Sequence, residues 1–103
     1  MAATREKIPH PPIEALDLAT IMRTLGDPAR LEIVRLLADD EPRMCSEISR
    51  LMGQPVSTCS YHLKLLRDAG LTRARADGTQ RLISLRRDDV EARFPGLLEV
   101  LTR

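Results

Sequence analysis

Two cysteines (Cys45, Cys59), two histidines (His10, His62) and a run of hydroxyls at Ser57, Thr58, Ser60 and Tyr61 are the side chains in this sequence with most scope for chemistry. Catalysis would require a nucleophile facing a base, or a glycine loop to cradle phosphate, and the spacing supplies neither. His62, beside Cys59 and Ser60, reads as a semi-buried helix residue. Cys59 and His62 stand three apart and could share a metal, but Cys59 falls on an apolar face and no nearby carboxylate completes a shell. No enzyme, no metal site and no cofactor are therefore expected. Two cysteines are too few for a disulfide scaffold and read as buried thiols, which fits a reducing compartment.

The hydroxyl run carries chemistry of another kind. Val56, Cys59, Leu63, Leu66 and Ala69 recur at helical spacing, so a helix over about 55–69 turns Ser57, Thr58, Ser60, Tyr61 and Lys64 to its other side. No acidic residue interrupts that stripe before Asp68. Hydroxyls can donate to phosphate oxygens or read base edges and a lysine neutralises phosphate, whereas a carboxylate would be repelled. Double-stranded DNA is the partner that suits this face.

Charge distribution agrees with it. The formal net charge is only +1, but residues 1–42 carry five basic and eight acidic side chains, 43–86 eight and three, and 87–103 three and four. An anionic polymer meets the local concentration of Lys and Arg, not the average. Arg73, Arg75 and Arg81 lie in a stretch whose period drops to two around Asp77-Gly78, which predicts a hairpin over 71–85 able to lie along the phosphate backbone or in the minor groove. A charged edge strand that blunts aggregation is the other reading of those arginines.

These residues have to be positioned by a small fold. The chain's 103 residues, with no Trp, one Tyr and one Phe, allow one domain with an aliphatic core. Residues 1–12 end in His10-Pro11-Pro12 and read as a flexible arm, with a single domain over 13–103. Nothing near the N-terminus resembles a secretion signal and no run is apolar enough for a membrane span, so a cytoplasmic protein is expected. One helix is predicted from Ile13 to near Gly26. A second opens on Asp27-Pro28, and a short third carries Cys45, Ile48, Leu51 and Met52 and stops at Gly53. With the helix over 55–69 it forms a helix-turn-helix. A helix broken at Pro95-Gly96 closes the chain. Ile13, Leu16, Leu97, Leu98 and Leu101 exceed what a single small domain needs for its own core, which predicts a homodimer joined through the terminal helices.

The runs LGDPARL at 25–31, MCSEISRLMG at 44–53, STCSYHLKLL at 57–66 and AGL at 69–71, followed by Asp77-Gly78, resemble the ArsR-type winged helix-turn-helix repressors. The resemblance covers about residues 18–85. It implies a mainly α fold with a β-hairpin wing and a homodimeric transcriptional repressor on a near-palindromic operator, usually answering to a metal or other small-molecule effector. It also implies that positions 56, 57, 58, 60 and 61 lie at the major groove. Val56 departs from the polar residue common there and suits a thymine methyl. Metal-sensing members with a site on the third helix carry two cysteines flanking one residue. Here Met44 and Ser46 stand at those positions with Cys45 between them, and the last segment has no histidine for the family's other sites. An unidentified small-molecule effector stays open, as does a winged-helix module that binds protein rather than DNA.

Overall fold

The computed structural model of the chain describes residues 8–103. Its first helix is not the continuous one that the apolar spacing predicts. A single 3-10 turn at Ile13–Ala15 is followed by extended backbone at Leu16 and Asp17, and α1 runs only over Leu18–Thr24. Asp17 causes the break: its carboxylate accepts from the Thr20 backbone N–H at 3.0 Å and from the Thr20 hydroxyl at 2.8 Å, an N-cap that starts a new helix. The break drops Leu16 into the interior, where it is 2% exposed.

Asp27 caps α2 (Pro28–Leu36) in the same way, accepting from Ala29 N–H at 2.8 Å, with proline at the position where its missing donor costs nothing. Ile33 and Val34 of α2 and the following Leu37 sit at the centre of the core. A two-residue strand, β1 (Arg43–Met44), precedes α3 (Cys45–Met52) and α4 (Val56–Asp68). Next come β2 (Thr72–Asp77), β3 (Gln80–Leu85), α5 (Arg87–Arg93) and α6 (Leu97–Leu101). The strands form an antiparallel sheet in the order β1-β3-β2. Two residues give β1 too little length for a period-two signal, so the sequence does not announce it.

Asp77 pairs with Gln80, so the hairpin turns on Gly78 and Thr79, not on Asp77 and Gly78. Gly78 has φ 62° and Thr79 no positive φ, the pattern of a type II′ turn, in which the first central residue alone needs the left-handed region. The break at Pro95-Gly96 is as predicted: Gly96 has φ 87° and its N–H donates to the Glu91 carboxylate at 3.0 Å.

Of the expected arm, residues 1–7 lie outside the described ones, and 8–12 are tied to the domain. Ile8 packs on the core, His10 Nε2 accepts from the Ala74 N–H of β2 at 3.0 Å, and the Pro11 carbonyl accepts from Arg86 at 2.7 Å. Residues 8–12 are not a loose arm because β2 is an edge strand, whose free N–H groups the incoming chain can satisfy.

Candidate nucleic-acid interface

Gly53, with φ 65°, ends α3 and lets the chain reverse into Pro55, from which α4 starts. On α4 the side chains divide as its period dictates. Cys59, His62, Leu63 and Leu66 are buried, while Val56, Ser57, Thr58, Ser60, Tyr61 and Lys64 are all exposed. The structure therefore brings the six expected contact residues of this helix onto one solvent-facing surface. Lys64 Nζ sits 2.8 Å from Asp68 Oδ2, both side chains in water, a pair of small net worth that a phosphate could replace.

Two contacts from other elements set this helix in place. Arg30 of α2 donates through Nε to the Thr24 carbonyl at 2.6 Å and through Nη1 toward His62 Nδ1 at 3.2 Å. A guanidinium can only donate, so His62 Nδ1 is the acceptor in this contact. The end of α1, the start of α2 and the middle of α4 are thus joined through one arginine. In addition, Cys45 Sγ at the start of α3 lies 3.4 Å from Ser60 Oγ. Burial, with a further contribution from the nearby Cys45 thiol, pushes the Cys59 thiol up to about 11.

The wing arginines do not behave alike. Arg73 and Arg75 both lie on the exposed face of β2, but Arg73 is paired with Asp89 of α5 at 3.2 Å, at the base of the hairpin. There it lines a polar cleft of about 450 Å³ with Arg87, Asp40 and Asp88. Arg81 of β3 is half-buried and engaged. Arg75 is the wing arginine with the most open presentation.

Among the residues expected to join two copies, Leu16 and Leu98 are 2% and 1% exposed within the chain itself and belong to its own core. Ile13, Leu97 and Leu101 are half-buried. The surface of the terminal helices is apolar at other positions: Leu18 (45% exposed) and Met22 (43%) on α1 and Val100 (59%) on α6. Leu18 and Met22 are four apart and share one helical stripe, which the apolar spacing shows without telling that they face outward. Among the described residues no three His, Cys, Asp or Glu side chains cluster, and no helix is long and apolar enough to cross a membrane.

Comparison with known proteins agrees with the architecture. A helix-turn-helix domain family matches residues 25–75. The chain is 39% identical over 84 residues to an uncharacterized HTH-type transcriptional regulator, YceK, of Bacillus subtilis (strain 168), covering 81% of this chain and 84% of that one. It is 37% identical over 70 residues to the arsenical resistance operon repressor of Staphylococcus xylosus, covering 67% of this chain and 65% of the other. Among solved structures, it is similar to the homodimeric winged helix-turn-helix DNA-binding domain of a possible ArsR-family transcriptional regulator from Mycobacterium bovis. That likeness has a TM-score of 0.69 at 32% identity and covers 82% of this chain and 76% of that one. The β2–β3 hairpin following α3 and α4 is the wing of such a domain, and the chain belongs to the ArsR-type family of winged helix-turn-helix, DNA-binding transcriptional regulators.

Proposed function

We propose that the chain acts in the cytoplasm as a homodimeric repressor. The α4 helix of each protomer enters the major groove of a near-palindromic operator and the β2–β3 wing lies along the backbone or minor groove. The observation that carries this reading is the face of α4: five polar side chains and Val56 exposed together, with the first carboxylate only at Asp68. Ser57, Thr58, Ser60 and Tyr61 then read bases or bind phosphate, Val56 meets a thymine methyl, and Lys64 and Arg75 neutralise phosphates. Arg81 lies on the same hairpin, while Arg73 reaches DNA only by leaving Asp89. Two-fold symmetry sets the two α4 helices about one DNA turn, roughly 34 Å, apart.

The dimer rests on Leu18, Met22 and Val100, flanked by half-buried Ile13, Leu97 and Leu101. It is also supported by the homodimeric state of the Mycobacterium bovis domain. Duplexes selected from a random pool by the protein, followed by a salt titration of selected and unselected sequences, test the reading. A shared two-fold motif and an affinity falling steeply with salt are expected. Equal, salt-insensitive binding to both pools would favour the protein-binding module instead.

A further inference from the structure

Neither cysteine has a part in the function proposed above, yet the fold brings the two together inside the helix-turn-helix. Cys45 is the first residue of α3 and half-buried; Cys59 is in the second turn of α4 and 1% exposed. They are fourteen residues apart in sequence, and both are reduced. The Cys45 sulfur stands 3.4 Å from the hydroxyl of Ser60, the residue next to Cys59 on α4, and lies close enough to Cys59 to raise its pKa. One thiol is thus partly open to water and the other, near it, is shielded.

We infer that Cys45 and Cys59 form an oxidisable pair, in which a peroxide oxidises Cys45 and Cys59 resolves the product into a disulfide linking α3 to α4. The steps balance with hydrogen peroxide as oxidant. The Cys45 sulfur attacks one peroxide oxygen, the O–O bond breaks, and Cys45 becomes a sulfenic acid as water leaves. The Cys59 sulfur then attacks the Cys45 sulfur, the S–O bond breaks, and the hydroxyl departs with the Cys59 proton as a second water. The sulfurs lose two electrons in all, and the peroxide takes them up.

The order of events follows from burial. Cys59 is held as a thiol by its apolar surroundings, so it reacts poorly with a peroxide in solution, which it also cannot reach. The neighbouring Cys45 sulfur adds to what raises its pKa. The bond, once closed, draws Cys45 off Ser60, a residue of the exposed α4 face, and fixes the start of α3 against α4. Its effect on DNA, which rests on the reading above, is a weaker complex with the selected duplex.

The test uses the full chain, treated with hydrogen peroxide while folded, then blocked with an alkylating reagent and analysed by mass spectrometry. The parent is expected to lose two hydrogens as a monomeric chain and to yield a peptide pair joined through Cys45 and Cys59, with dithiothreitol restoring both thiols. Cys59→Ala should stop at a Cys45 sulfenic acid that dimedone captures, and Cys45→Ser should leave the Cys59 thiol unreacted. Should Cys59→Ala not fold, the joined peptides from the parent and the inertness of Cys59 in Cys45→Ser decide the matter. Disulfides only between chains, Cys45 passing to sulfinic acid with Cys59 still a thiol, or no reaction in the folded protein would each overturn the inference. Affinity for the selected duplex is expected to fall at least tenfold on oxidation and to recover with dithiothreitol. A reduced parent that binds no duplex defeats the DNA reading and leaves the thiol result to stand or fall alone.

Discussion

Under the proposed reading, Ser60 and Tyr61 are the residues at which sequence reading by α4 can be separated from simple attraction to DNA. Both are exposed in the middle of α4 and neither has a charge, so on that reading what they contribute depends on the bases opposite them. Ser60→Ala or Tyr61→Ala should cost about 1–3 kcal/mol on the selected duplex and much less on random sequence. Arg75→Ala should weaken both alike and lower the salt slope by about one for each phosphate that a half-site leaves unneutralised. An unchanged slope in Arg75→Ala would remove the wing from the interface. Helical period alone made the α4 face legible, because exposure there repeats with the turn. The partners of its neighbours were not legible: Arg30 meets His62 thirty-two positions away and Arg73 meets Asp89 sixteen away, and no local pattern encodes such pairs.

The connections between elements show which local signals compete. Apolar spacing from Ile13 onward predicts one helix, and the Asp17 cap overrides it, because an N-cap that satisfies a free N–H is typically worth ~1 kcal/mol while one more helical turn adds little. The consequence is Leu16, which leaves the helix and packs against Gly70 in the α4–β2 turn. A Cβ on Gly70 would collide with the Leu16 side chain, and Gly70 also holds φ +83°. Gly53 holds φ +65° with open space around the same position. Gly53→Ala should therefore show backbone strain alone, about 1 kcal/mol, whereas Gly70→Ala should cost about 2–4 kcal/mol from strain plus displacement of a buried leucine. Equal losses in chemical denaturation would mean that Leu16 is not wedged there.

The strap at residues 8–12 gives a second expectation about elements. His10 Nε2 can accept from Ala74 only when unprotonated, and its pKa is lowered, chiefly by desolvation and further by the charges of Arg67, Arg86 and Arg73. The folded protein thus binds the proton less readily than the unfolded chain does. The stability tied to this contact is fully present above the ordinary histidine value of 6.5 and is lost as pH falls from there through the lowered folded value. Amide exchange at Ala74 should accelerate over that window in the parent, after correction for intrinsic exchange. In His10→Ala it should already be fast at neutral pH. A protected Ala74 amide in His10→Ala would show that the strap does not cover the β2 edge.

Assembly of the whole molecule follows from where the core runs out. Leu16 and Leu98, which sequence reasoning offered for the dimer, are consumed by the chain's own interior. Composition revealed the surplus of apolar residues but not which of them face outward, since that depends on how the short helices α1, α5 and α6 are cut. What remains outside on the terminal helices is Leu18, Met22 and Val100. In a two-fold interface each residue occurs twice, so one substitution acts at two places. Replacing Met22 or Leu18 with Glu removes apolar burial of roughly 1.5–3 kcal/mol per copy and puts two carboxylates into the interface. Sedimentation should then show monomers at micromolar concentration, at least a hundredfold shift in the dimer equilibrium, while the melting of the monomer changes little because both side chains are exposed. Leu51→Glu is the control: Leu51 is just as exposed, at 49%, but sits on α3, and its variant should remain dimeric. If Met22→Glu and Leu18→Glu sediment as the parent does, the two copies meet elsewhere and the roughly one-turn spacing of the α4 helices has no basis.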